Sequence, residues 1–197
     1  MKNAFIGIES FVDKQLIFYK KGVKVSQNIE AINLLESLQI EYGIGILLFD
    51  PAITLVEIVE TLAYLEKIAS NHYLNVMTPF SPTCTAIPHQ GTALYDYVEE
   101  HGLLNDSSIL YRFENEDTQL CHDFLVKWIE QVSLLENGNE YFYRKLFRLE
   151  INIIKGLCEM IIAGVHDTES LAGYVRQELI KIEVLIKEVD DCCKTIS

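Results

Sequence analysis

The sequence predicts an α/β fold: about three parallel strands interleaved with helices over residues 1–104, then an all-helical region over 105–197. Three observations carry this. Short apolar runs alternate with amphipathic patterns through the first part. The alternation of strand and helix is the signature of a parallel series with right-handed crossovers. Beyond residue 105 the apolar spacing becomes helical throughout, with no further convincing strand.

The first strand is Ala4-Phe-Ile-Gly-Ile-Glu-Ser10, which has almost no polar alternation and so reads as buried on both faces. Ser26 is the expected N-cap of a helix to about Leu38, with Ile29, Ile32, Leu35 and Leu38 on one face. The second strand is Tyr42–Phe49, ended by Asp50-Pro51 because proline cannot donate to a ladder. Thr54-Leu-Val-Glu57 has the spacing of a capping box and opens a helix to about Ser70, striped by Leu55, Ile58, Leu62 and Leu65. A third strand is expected over Tyr73–Phe80, followed by a loop marked by Pro79, Pro82 and Pro88. Thr92 then caps a short helix ending near Gly102. The later helices are expected over about Asp117–Leu135, Asn139–Ala163 and Thr168–Cys193, the last with Leu171, Val175, Leu179, Ile182 and Ile186 along one face.

Composition narrows the function classes. The net charge of −13 opposes binding to a phosphate backbone, so no nucleic-acid partner is expected. The most apolar late segment, Ile151–Val165, is interrupted by Lys155 and Glu159, and a spanning helix needs ~20 apolar residues, so no membrane partner is expected either. Ala4–Ile8 is too short for a secretory signal, which makes the expected location cytoplasmic. Five scattered cysteines (84, 121, 158, 192, 193) read as reduced thiols. The histidines show no metal-ligand spacing, and Cys121-His122 point to different faces of one helix, so no metal residues are assigned. Tyr141, Phe142, Tyr143 and Phe147 read as core packing.

A set of short motifs then falls in order: Gly7-Ile8-Glu9-Ser10, Lys21-Gly22, Gly43-Ile-Gly-Ile-Leu-Leu-Phe-Asp50-Pro51, Thr54-Leu55, Pro88, Gly91-Thr-Ala-Leu-Tyr95 and Glu99-Glu-His-Gly-Leu103. In order and spacing, residues 4–104 resemble the C-terminal half of the partial barrel of the radical S-adenosylmethionine (SAM) superfamily, in the cobalamin-type and methylthiotransferase-like sequence style. The resemblance implies a partial parallel (β/α) barrel segment of about three strands, followed here by a helical region to which it does not extend.

It also implies that Glu9 and Ser10 lie beside bound SAM and that Gly43 and Gly45 line its adenosine side. Asp50 and His89 become substrate-side candidates, although Asp50 before Pro51 reads better as a turn former and Lys21 as a solvated charge. Glu9, Ser10 and Asp50 sit at strand C-terminal ends, where such folds place ligands.

The family's cofactors are SAM and a [4Fe-4S] cluster on a Cys-x3-Cys-x2-Cys motif, a spacing this sequence lacks. The chain alone is therefore expected to bind no cluster and to do no radical chemistry; no catalytic residue is assigned. Two readings follow: a truncated or split half of a radical SAM enzyme, or a non-catalytic relative that binds a protein. Either leaves an open sheet edge, so the expected partner is an N-terminal half-barrel protein or a second copy.

Overall fold

The computed structural model describes residues 3–74, 85–105, 111–132 and 140–196, with backbone alone at 127–132, 140–141 and 188–196. The elements are β1 (Asn3–Glu9), α1 (Asp13–Phe18), α2 (Val25–Ser37), β2 (Glu41–Ile46), α3 (Leu55–Ile68), α4 (Ala93–Glu100), α5 (Glu116–Val132), α6 (Glu140–Ile162) and α7 (Thr168–Ile196).

β1 and β2 pair in parallel from Asn3↔Glu41 to Gly7↔Gly45, and an irregularity between Gly7 and Glu9 brings Glu9 opposite Ile46. The third expected strand lies mostly in 75–84, outside the described residues. On either side of that gap the chain makes a single parallel bridge: Leu74 to Tyr42 in β2, and Thr85 to Phe49, three residues past the end of β2. The described sheet thus has two strands rather than three.

β1 departs from the expectation of two buried faces. Ala4, Ile6 and Ile8 turn toward the helices, while Asn3, Phe5 and Gly7 are exposed, Phe5 by 77%. Among the described residues the burial of β1 falls on one side, so alternation is present although the apolar letters hide it.

Thr54 and Glu57 form the expected capping box: Glu57 N–H donates to Thr54 Oγ1 at 3.4 Å and Thr54 N–H to Glu57 Oε2 at 2.9 Å. Thr92 Oγ1 likewise accepts from Tyr95 N–H. Ser26 is not a cap. Its helix starts one residue earlier, with Lys24 N–H bonded to Gln27 Oε1 at 2.9 Å and Val25 N–H to Asp13 Oδ1 at 2.8 Å. Asp13, from another helix, thus supplies the acceptor that a capping serine would have given.

The helical region packs onto the barrel segment through α6 and α3. Arg144 and Arg148 donate to carbonyls at and beyond the α3 C-terminus, and Lys155 pairs with Glu66 at 2.9 Å. One apolar cluster includes Ile8, Tyr42 and Leu62 together with Leu146, Ile154 and Leu171. Phe142, Tyr143 and Phe147 belong to it, and Cys121 and Cys158 meet inside it at 3.8 Å. Along the described part of α7 the buried positions are Leu171, Val175, Glu178, Ile182 and Leu185; Leu179 and Ile186 of the predicted stripe pack half-buried against the same core, with the Glu178 carboxylate buried beside them. Glu150 is also fully buried, and burial holds its carboxyl well above the ordinary range.

His122 joins α5 to the sheet. Its ring lies 5.2 Å from Phe49 and 4.8 Å from Phe113, and both ring nitrogens are buried without a partner. Burial pushes its pKa from 6.5 down to about 4, with Asp123 opposing weakly. Between those values the unfolded chain binds a proton that the native chain refuses. Stability is therefore full above pH 6.5 and is lost as pH falls toward 4, by about 3 kcal/mol in all. Urea unfolding at pH 7.0 and 4.5 checks this: His122→Phe should lose about 2–3 kcal/mol less than the parent chain over that interval. Equal losses would refute it.

Candidate functional site

At the C-terminal end of β1 the backbone turns sharply. Glu9 takes a φ of +62°, a conformation that costs a side-chain-bearing residue energy. The turn still leaves its carbonyl in the ladder, accepting from Leu47 N–H at 2.8 Å. The Glu9 side chain folds back over Gly7, where an added Cβ would come 2.7 Å from Glu9 Oε1. Lys21 reaches the same oxygen at 2.9 Å, with the two side chains 34% and 23% exposed for Lys21 and Glu9 respectively. Lys21 is therefore an ion-pair partner and not a solvated charge.

Ser10 points the other way. It is fully buried, its hydroxyl donates to Gln15 Oε1, and its oxygen accepts from Val12 N–H at 2.9 Å. Gln15 passes the chain on to Asp50, donating from Nε2 to Oδ2 at 2.8 Å; Tyr19 O–H donates to that oxygen at 3.1 Å. Asp50 Oδ1 accepts from Ala52 N–H at 2.8 Å, which is the turn-forming role expected before Pro51. Burial, and next the charge of Asp50, holds the Tyr19 hydroxyl well above its ordinary value, so it remains a donor. Asn28 Nδ2 donates to the carbonyls of Ile8 and Ser10. The network ties the ends of both strands to α1 and α2.

Gly43 and Gly45 carry the Phe5 ring. An added Cβ at either would meet that ring at 3.2 Å. The missing side chains thus make a shallow bed on the exposed sheet face, and Phe5 lies in it. His89 is exposed, and its carbonyl accepts from Thr92 Oγ1–H at 2.6 Å. No described contact joins its ring to Asp50 or Glu9.

The structure therefore separates the six residues singled out from sequence. Glu9 is accessible, with Lys21 beside it and the glycine bed on the same sheet. Ser10 and Asp50 form a buried brace behind them, and His89 stands apart. Gln15 and Tyr19 were missed, and Lys21 stood only as a solvated charge. The one signal for the first two is their i,i+4 spacing around Leu16, which is weak in so short a segment. Chemically, the accessible pair can accept hydroxyl groups at the carboxylate and attract an anion at the ammonium. Among the described residues no cluster of three or more His, Cys, Asp or Glu could hold a metal ion, and no helix is long and apolar enough to cross a membrane.

No protein-family profile matches the chain, and no curated protein sequence matches it. Solved structures do. The cobalamin-dependent S-adenosylmethionine radical enzyme OxsB, with aqua-cobalamin and SAM bound, superposes with a TM-score of 0.72 at 17% identity over 100% of this chain. The same enzyme in its apo, selenomethionine-labelled form gives 0.63 at 18% identity over 98%, and with aqua-cobalamin alone 0.59 at 16% over 98%. The chain spans 38% of the length of the enzyme it matches. At these identities the likeness establishes the fold alone: this chain shares the fold of the matching portion of that enzyme, its helical region included.

Proposed function

We propose that this chain supplies one wall of a SAM site in a radical SAM enzyme whose cluster is held outside these 197 residues. The observation that carries the reading is the superposition of the whole chain on the SAM-bound enzyme, with Glu9 and Lys21 at the strand end where that fold class places ligands. In the family the activity is reductive cleavage of SAM to a 5′-deoxyadenosyl radical, with electrons delivered by a [4Fe-4S] cluster. This chain's donor set does not fit that cluster, since no three of its cysteines have the required spacing. No step is derived through it.

The chain's own contribution is to bind and orient. Glu9 offers carboxylate oxygens to ligand hydroxyls once Lys21 yields one of them. Its position is fixed by the turn at Ser10, which the Gln15–Asp50 brace holds. Lys21 holds the carboxylate aimed while no ligand is present.

A second reading, a non-catalytic relative that binds a protein, is favoured by two particulars. Ser10 spends its hydroxyl inside the fold, and Phe5 already fills the bed over Gly43 and Gly45.

The test is anaerobic. The purified chain is treated with iron and sulfide, then given SAM and a strong reductant, and SAM binding to the untreated chain is measured by calorimetry. The expected outcome is no 5′-deoxyadenosine, with measurable SAM binding that Glu9→Gln weakens at least tenfold, or about 1.4 kcal/mol. Cleavage by the isolated chain would overturn the missing-cluster claim. Absent SAM binding would select the non-catalytic reading.

A further inference from the structure

On the exposed side of the helical region, α6 and α7 enclose a groove whose charge is opposite to that of the chain. The two helices run antiparallel: Tyr174 O–H donates to the Asn152 carbonyl at 3.0 Å, and one turn or two further along α7 the facing residues come earlier in α6. Lys145, Arg148 and Leu149 line the groove from α6, and Lys181, Val184 and Leu185 from α7. Spacings of three and four positions put each set on one helix face. The floor is aliphatic and the rim cationic, and no acidic side chain lines the groove among the described residues. That is an uneven draw from a sequence in which acids outnumber bases 29 to 16. Two of the cations keep further donors. Arg148 gives one N–H to the Ala69 carbonyl at 3.3 Å, and Lys181 gives one to Glu178 while its side chain stays 55% exposed. Val184 is 51% exposed.

We propose that this groove is the docking site for an acidic amphipathic helix of a partner protein. One large apolar side chain enters over Leu149 and Val184, and flanking carboxylates meet Arg148 and Lys181. Size argues for this occupant. At about 250 Å3 the groove falls below the ~300–1,000 Å3 of small-molecule sites, and its exposed rim would leave a free ligand largely in water. A channel between two helices instead seats a third, read through anchors one turn apart. Charge selects the sign of that helix, since a guanidinium binds a carboxylate through two parallel bonds. A second copy of this chain, joined about a two-fold axis through the groove, would set Arg148 and Lys181 against their own mates. The net charge of −13 repels an acidic partner at long range. At ~0.15 M salt that field is screened beyond ~8 Å, whereas the rim cations act at contact. None of these residues enters the SAM reading, so the inference stands or falls apart from it.

The experiment uses the full chain and a fluorescein-labelled peptide of ~15 residues, rich in glutamate with leucines one turn apart. A twin carries glutamine in place of every glutamate. Fluorescence anisotropy at ~0.15 M salt measures affinity, and hydrogen exchange maps the contact. The glutamate peptide should bind at least tenfold tighter than its twin and slow exchange only within residues 145–152 and 178–185. Val184→Glu should weaken it at least tenfold, while Val184→Lys should not weaken it. Both variants should melt within a few degrees of the parent, because the side chain is half exposed. Equal losses in the two variants would show a purely apolar contact and overturn the proposal. So would absence of binding, equal affinity for the two peptides, or protection elsewhere. Displacement of the peptide by inorganic phosphate would identify a free-anion site instead, and self-association of the chain abolished by Val184→Glu would identify a second copy; either result overturns it.

Discussion

Asp50→Ala is expected to lower the melting temperature by about 10 °C. The carboxylate accepts from Gln15, Tyr19 and the Ala52 backbone, and it is 2% exposed. Bonds to a charged group contribute roughly 1.5–3 kcal/mol each and do not add in full; alanine also leaves buried donors without acceptors. A net loss of about 3–4 kcal/mol follows, and each kcal/mol moves the midpoint of a chain this long by roughly 2–4 °C. Asp50→Asn should lose about half as much, because its amide keeps one acceptor and presents a second donor where donors already converge. Calorimetry on both variants decides it. A drop below 2 °C for alanine would mean that the brace carries little of the strand ends' order, and Ser10 would then need another explanation for its burial.

Arg144→Met should cost nearly as much, about 2–3 kcal/mol, from a position far along the sequence. Its guanidinium donates to the carbonyls of Asn71 and His72 at 3.0 Å each and of Leu74 at 2.6 Å. These carbonyls lie just past the end of α3, where the helix dipole is negative and the chain turns toward its third pass beside β2. A lysine cannot span three diverging acceptors, so Arg144→Lys should recover less than half of the loss. The neighbouring pair Lys155–Glu66 is a useful control. Both side chains are about a third exposed, and Lys155→Met should cost under ~1 kcal/mol. Hydrogen exchange resolved over residues 71–74 should quicken in the arginine variants alone; unchanged exchange there would refute the capping role.

What could be read from the residues was whatever is decided within a few positions. Thr54 with Glu57, and Thr92 before Tyr95, are three-residue devices, and both caps stand where the spacing put them. Ser26 fails as a local signal because the helix starts at Val25, whose N–H borrows an acceptor from Asp13, twelve positions earlier. α1 is six residues long, too short to show a period, and its place is set by bonds from Gln15 and Tyr19 to Asp50, more than thirty positions away.

The exposed face of β1 was invisible for a different reason. Phe5 and Gly7 both score as non-polar, yet one is a bare ring and the other has no side chain to bury. Glu9 and Ser10 were rightly picked as neighbours at a strand end. That they face opposite ways follows from the positive φ of Glu9, which no side-chain pattern announces.

The arginine cap also sets an order of events at the ribosome. The carbonyls at 71–74 meet their donor only after 70 to 73 further residues have been made. At about 5–20 residues per second that is roughly 4–15 s of synthesis. Throughout that interval the end of α3 lacks its arginine cap, and the return of the chain toward β2 is held by bonds such as that from Tyr42 N–H to the Tyr73 carbonyl. A nascent chain stalled before α6 thus presents an unfinished sheet to whatever binds such edges, and the helical tail completes the strands that precede it.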